Sequence, residues 1–336
     1  MKSVASNKNL RLAIMLVMLL VLAGISLGFG GVFSAGRLFS ALLHPGGNDI
    51  ISLIVWEIRL PRILLAICGG AGLALAGAAL QGILMNPLVD PYILGVSSGA
   101  SFGAALAIVL GISLDSGSYW LVGNAFVMAC VVALLVFGLA RSRQASAHTI
   151  ILAGLAMNFI FSALVAGLQF VARESQLRDL MFWMMGSLWN ATFESSLLIS
   201  IVLALALVIL ISQAWNLNAM AAGVEVAQSL GVKTGRVNLI VILTASLLTA
   251  VVVAFMGAVG FVGLLGPHMA RAILGSDHRF LLPAAGLCGA LLLLLADICA
   301  RHLLWPMDLP VGIMTALLGG PFFIYLLLKG RKNWWM

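Results

Sequence analysis

The chain has 336 residues, 62% of them hydrophobic and only 9% charged, with a formal net charge of +7 and a mean hydropathy of +1.15. Soluble domains are about 45–50% apolar and about 25% charged, so these proportions exclude an ordinary soluble domain. They fit a chain that crosses lipid repeatedly, at roughly 20 mainly apolar residues per crossing.

Lys2, Lys8 and Arg11 precede an apolar run from Leu12 to about Phe29. That run outlasts the roughly 7–15 residues of a signal-peptide core, and no A-x-A site follows it, so it reads as an uncleaved first span. Hydropathy then continues through about ten candidate spans in all. They cover 10–31, 60–84, 93–111, 119–140, 149–171, 195–213, 237–256, 258–273, 282–303 and 309–329. Only the glycine-rich stretch Met256 to Gly260 separates the seventh from the eighth.

An even count puts both termini on one side, read as cytoplasmic. The inner loops then carry Lys2, Lys8, Arg11, Arg141, Arg143, Lys233, Arg236, Arg271, Arg279, Lys329, Arg331 and Lys332. The outer loops carry Arg37, Arg59, Arg62, Arg173, Arg178 and Arg301, and every lysine falls inside. This positive-inside bias supports the count and accounts for the net charge through membrane lipid rather than nucleic acid. The fold class is therefore all-α integral membrane, with residues 1–336 forming a single transmembrane domain.

The segment Trp56 to Arg62 opens the second span on the outer side, with Pro61 suited to a first helical turn. Arg59 and Arg62, three apart, share a helix face. They are either interfacial anchors or docking points for carboxylates of a soluble partner. Within the second span, Ala66, Gly70, Ala74, Ala78 and Gly82 form a ridge of small residues; Gly95, Gly99, Gly103, Ala107 and Gly111 form another in the third. Such ridges let backbones approach closely in lipid, inside one bundle or along a conduit or dimer seam. Between these spans lies Asn86-Pro87-Leu88-Val89-Asp90-Pro91, an inner turn whose prolines favour extended neighbours.

Further along, the inner loop Asn218 to Val232 is too long for a plain connection and too mixed to span. Asn218 is a plausible N-cap and Gly231 a plausible C′ residue, which predicts a short cytoplasmic helix over 219–232. Its low charge favours a protein partner over lipid headgroups. Gly266 to Arg271 interrupts or closes the eighth span. Asp297 and Arg301, at i and i+4 in the ninth, are either a self-neutralising pair or a functional pair that sets Arg301 beside Arg59 and Arg62.

Cys68, Cys130, Cys288 and Cys299 lie singly in apolar runs and read as membrane-buried residues. His44, His148, His268, His278 and His302 are likewise scattered. No metal, cofactor or catalytic site is read. No GxxxxGK[ST] phosphate loop, HExxH or GxSxG motif occurs, so the chain should not bind ATP by that route and an enzyme reading has no nucleophile–base set.

Taken together, the segments resemble the FecCD family of ABC importer permeases. The matching motifs are Arg59-Leu60-Pro61-Arg62, Asn86-Pro87-Leu88 with Pro91 and Leu94-Gly95, Ser187-Leu188-Trp189, and Leu230-Gly231-Val232. Gly260 to Leu264 with Pro267-His268 and Arg271, then Asp277-His278-Arg279 with Leu282-Pro283, and finally Leu309 to Gly312 continue the match over roughly 50–328. The order and spacing carry the resemblance, since no single motif is specific.

That resemblance implies a ten-span type II importer permease in the bacterial inner membrane. It pairs with an identical copy, two ATPase subunits below and a periplasmic or extracellular substrate-binding protein above. It implies coupling to the ATPase through Ala222, Gly223, Val224, Glu225, Ala227, Leu230, Gly231 and Val232. Binding-protein carboxylates would meet Arg59, Arg62 and Arg301. An inner gate, as in the vitamin B12 transporter, would involve Asn86, Leu88, Ser146 and Ala147, although the last two depart from the family in residue type. The cargo expected is a metal chelate, ferric siderophore first, haem or cobalamin behind. The competing reading is a self-sufficient secondary transporter, which needs intramembrane carboxylates; Asp297 is the one clear candidate.

Overall fold

The computed structural model describes residues 2–28, 35–44, 49–112, 119–142, 147–304 and 307–329. Among these the secondary structure is helical: α1 (Lys2–Gly28), α2 (Ala35–Leu43), α3 (Ile50–Leu53), α4 (Leu60–Ile83), α5 (Val96–Leu110), α6 (Trp120–Ser142), α7 (Ala147–Val171) and α8 (Glu174–Met184). The chain continues as α9 (Phe193–Ser212), α10 (Ala214–Ala221), α11 (Val224–Ser229), α12 (Thr234–Met256), α13 (Val262–Leu274), α14 (His278–His302) and α15 (Val311–Lys329).

Every hydropathy segment falls on a helix. Among the described residues, 7 helices are long and apolar enough to cross a membrane. The segments on α5, α13 and α15 are shorter; at about 1.5 Å per residue, α13 rises only about 20 Å against a hydrocarbon core of about 30 Å. The second span differs from expectation. Pro61 does not start it, because a π-helical turn over Ile54–Arg59 joins α3 to α4 in one run of 34 residues, Ile50–Ile83.

The core is α4, surrounded by α14, α13, α12 and α9. Both small-residue ridges are seams within the chain. In the first ridge, a Cβ on Gly70 would strike the backbone of Gly289 on α14, and one on Gly266 of α13 would strike Ala74; beside the ridge, a Cβ on Gly77 would strike the carbonyl of Gly263 on α13. In the second ridge, Gly99 and Gly103 press on α6 at Val132 and Asn124. The helices α1, α7 and α9 leave most of their apolar surface uncovered by this chain.

The glycine-rich junction is a true break. The helix α12 ends at Met256, Gly257 takes φ 70°, and Phe261, φ 68°, leads into α13. Such broken backbone needs polar partners. Tyr92 supplies them from the short 3₁₀ turn Pro91–Leu94, where Asp90 caps the Tyr92 N–H at 3.0 Å. The Tyr92 hydroxyl donates to the Val259 carbonyl at 3.0 Å and accepts from the Val259 N–H at 2.8 Å.

Candidate functional site

Chemistry-bearing residues gather at the two ends of the bundle. The lower end holds α10, α11 and the start of α1; the upper end holds α8 and the Arg62 cluster.

At the lower end the segment 219–232, read from its caps as one short helix and from the family resemblance as coupling helices, falls on two, α10 and α11, broken at Gly223, whose φ of 121° no ordinary helix residue adopts. Asn218 is not an N-cap either. It sits inside α10, and its side chain serves another helix: its amide donates to Asp277 Oδ1 at 2.8 Å and its oxygen accepts from the His278 N–H at 2.9 Å. Gly231 does follow the end of α11 with a positive φ of 85°. Asp277 also accepts from the Arg279 backbone N–H, capping α14. The Arg279 guanidinium, bonded to both carboxylate oxygens, holds Asp277 well below the usual carboxylate range. Arg279 in turn stacks on Trp215 of α10 at 4.2 Å.

Anchored on that side, the tip presents Ala222, Val224, Glu225, Leu230 and Gly231 outward, with Leu230 70% exposed. Ala227, expected at a contact surface, is instead the fully buried residue of α11, and Val232 is half-buried. These two hold the tip to the bundle.

The turn after α4 is closed by Asn86, whose side-chain oxygen accepts from the Leu88 N–H at 3.0 Å. Leu88 is exposed. Gln81 ties the turn inward: its amide donates to the Val89 carbonyl at 2.9 Å, and its oxygen accepts from Arg271 Nη2 of α13 at 2.7 Å. Ser146 lies outside the described residues, and Ala147 is placed only as the first residue of α7.

At the upper end the structure brings Arg59, Arg62 and Arg301 together, which the sequence could not show. The centre is Asp297, fully buried on α14. Arg62 Nε donates to its Oδ1 at 2.8 Å, and Arg301 Nε lies 3.1 Å from its Oδ2. Arg62 also reaches Asp308 at 3.0 Å, Arg301 reaches Ser26 at 2.6 Å, and Arg59 donates to the Leu27 carbonyl. The cluster thus joins α1, α4, α14 and the segment before α15. The side chains of Arg62 and Arg301 are 12% and 13% exposed, so the outward guanidiniums expected from the sequence are engaged first within the chain.

Above the α12 break lies a cavity of about 660 Å³. The sequence reading missed it because it depends on α8, a short amphipathic helix without a hydropathy signal. The legible signal was local: the Gln176 side chain accepts from the Arg173 N–H at 3.0 Å, in a helix-start pattern that precedes Met181-Phe182-Trp183. Close backbone approach seats α8 on the break. The Ser187 N–H donates to the Met256 carbonyl at 2.8 Å, and a Cβ on Gly257 would strike the Trp183 carbonyl. Trp120, Trp183, Trp189, Phe182 and Phe255 line the cavity. Gln176, Asn190, Asp179 and Asp308 add polar groups.

Comparison with known proteins gives this geometry a context. The hemin transport system permease protein HmuU of Yersinia pestis is 38% identical over 97% of both chains. The vitamin B12 import system permease protein BtuC of Salmonella typhi is 40% identical over 83% of this chain and 85% of its own. A solved structure described as an inward-facing metal-chelate type ABC transporter superposes with TM-score 0.84 at 38% identity, covering 95% of this chain and 98% of that one. The model of the FecCD transport family matches residues 14–329, nearly the whole of the helical bundle just described, and the chain belongs to that family.

Proposed function

We propose that the chain is the membrane-spanning permease of an ATP-driven importer for a metal chelate, with a ferric siderophore as first cargo and haem or cobalamin behind it. In this reading it is one transmembrane unit of the bacterial inner membrane, with both termini cytoplasmic and α5, α13 and α15 completing ten crossings. It pairs with a second copy; ATPase subunits bind at the lower end and a substrate-binding protein at the upper.

The observation that carries the reading is the α10–α11 tip. One side is pinned by Asn218, Asp277 and Ala227. The other leaves Val224, Val226 and Leu230 exposed on helices too short to cross a bilayer, with Glu225 as its only charge. Exposed apolar groups of that kind mark a protein contact.

Purified alone, the permease should hydrolyse no ATP, since it has no phosphate loop. Reconstituted with its ATPase, Leu230→Trp or Glu225→Lys should leave hydrolysis running while uptake into vesicles falls. Equal uptake per ATP in variant and wild type, with the ATPase still bound, would remove the tip from coupling.

The same reading assigns the inner gate to Asn86 and Leu88 together with Ser146 and Ala147. A crosslink between cysteines at Leu88 and Ala147 should block uptake, and unimpaired uptake after complete crosslinking would exclude the assignment. It also leaves the upper arginines a docking role. Three guanidiniums stand against the carboxylates of Asp297 and Asp308, so the cluster keeps an excess of positive charge. Arg59→Gln should slow capture of the binding protein, by a margin that shrinks as salt rises. An association rate equal to wild type at low salt would make the cluster purely structural.

A further inference from the structure

We propose that the upper cavity holds the cargo itself and selects a chelate that is neutral or positively charged and presents an aromatic or apolar face. The proposal deepens the importer reading by naming a substrate class, and it rests on that reading for the cavity's purpose.

The cavity's volume, about 660 Å³, lies in the range of about 300–1,000 Å³ typical of small-molecule sites. Its walls combine five aromatic rings with side-chain amides, a lining that grips flat or apolar ligand faces. Among the described residues, both ionisable side chains in that lining, Asp179 and Asp308, are acidic. Asp308 already answers to Arg62 at 3.0 Å, whereas Asp179 on α8 is exposed. Arg178 is its chain neighbour, but adjacent helix residues point about 100° apart, and Arg178 does not line the cavity.

An anionic chelate would therefore enter past Asp179 with no cation among the described lining residues to receive it. A cationic or neutral one meets ring faces, which attract positive charge, and a carboxylate. A membrane-interface belt would also gather tryptophans. These rings, however, line one cavity together with Met256, the last residue of α12.

Three ferric trihydroxamates built on one iron core, bearing a pendant ammonium, a neutral amide or a carboxylate, would isolate charge from shape. Titrated calorimetrically into the full-length permease in lipid nanodiscs, the ammonium and neutral probes should bind saturably and the carboxylate probe about tenfold more weakly than the ammonium probe. Asp179→Asn should cut the ammonium probe's advantage over the neutral one roughly threefold. Trp189→Ala should weaken all three probes by a common factor of roughly fivefold. Asp179 is exposed and Trp189 is 67% exposed, so neither change threatens the fold.

Equal binding of the three probes, tighter binding of the carboxylate probe, or no saturable binding would overturn the proposal. So would indifference to both substitutions. Failure of the permease to co-purify with an ATPase, alongside preserved probe selectivity, would instead refute the importer reading and leave the site standing.

Discussion

Replacing Asp297 with alanine should destabilise the bundle severely. The carboxylate is fully buried on α14 and faces Arg62 at 2.8 Å and Arg301 at 3.1 Å. Its loss leaves two guanidiniums with little water and less counter-charge. Removing one partner of a buried ion pair costs about 3–5 kcal/mol, because the remaining charge stays uncompensated. Against a total stability of about 5–15 kcal/mol, that is a large share.

The apparent Tm in detergent should fall by about 10 °C or more. Asp308→Ala removes a carboxylate that also bonds Arg62, but at a site 23% exposed, where water can replace it. It should cost much less. Substituting Asp297, Arg62 and Arg301 together with apolar residues of similar volume should recover most of the loss. A Tm for Asp297→Ala no lower than that for Asp308→Ala would show that the cluster does not bear on stability.

Gly77→Val should disrupt the bundle by a different route. At this point α4 and α13 touch backbone to backbone, and any Cβ on residue 77 would strike the Gly263 carbonyl. No rotamer moves a Cβ, so the helices must part. Overpacking in a core typically costs about 1–3 kcal/mol, and more where the obstacle is main chain. Gly138→Val on α6 makes the same change in helix propensity where nothing lies within 4 Å. Monodisperse yield and Tm should collapse for Gly77→Val and hold for Gly138→Val. Similar losses in both would mean that propensity, not contact, sets the cost.

Lipid imposes a strong local rule on sequence, and whatever that rule governs was legible. Each apolar segment maps to a helix, and the four-residue ridges mark faces that do meet other backbones. The partners of those faces were not legible, because Gly70 and Gly289 are far apart in the chain. Asn218 shows the same limit in polar chemistry. It was expected to cap its own helix, but it lies inside α10 and its oxygen accepts instead from the first N–H of α14, at His278. Asp297 and Arg301 could be paired by spacing, whereas Arg62 reaches the same carboxylate across 235 positions. The cavity went unseen because α8 is short and amphipathic and acquires its place only from its seat on the α12 break.

The Tyr92 hydroxyl also fixes a distance. One oxygen holds both polar groups of Val259, so the chain just after the turn of Asn86 and Leu88 is tied to the break that follows the end of α12 at Met256. The turn cannot part from that break without giving up both hydrogen bonds, and Val259 would then need other partners for its N–H and its carbonyl.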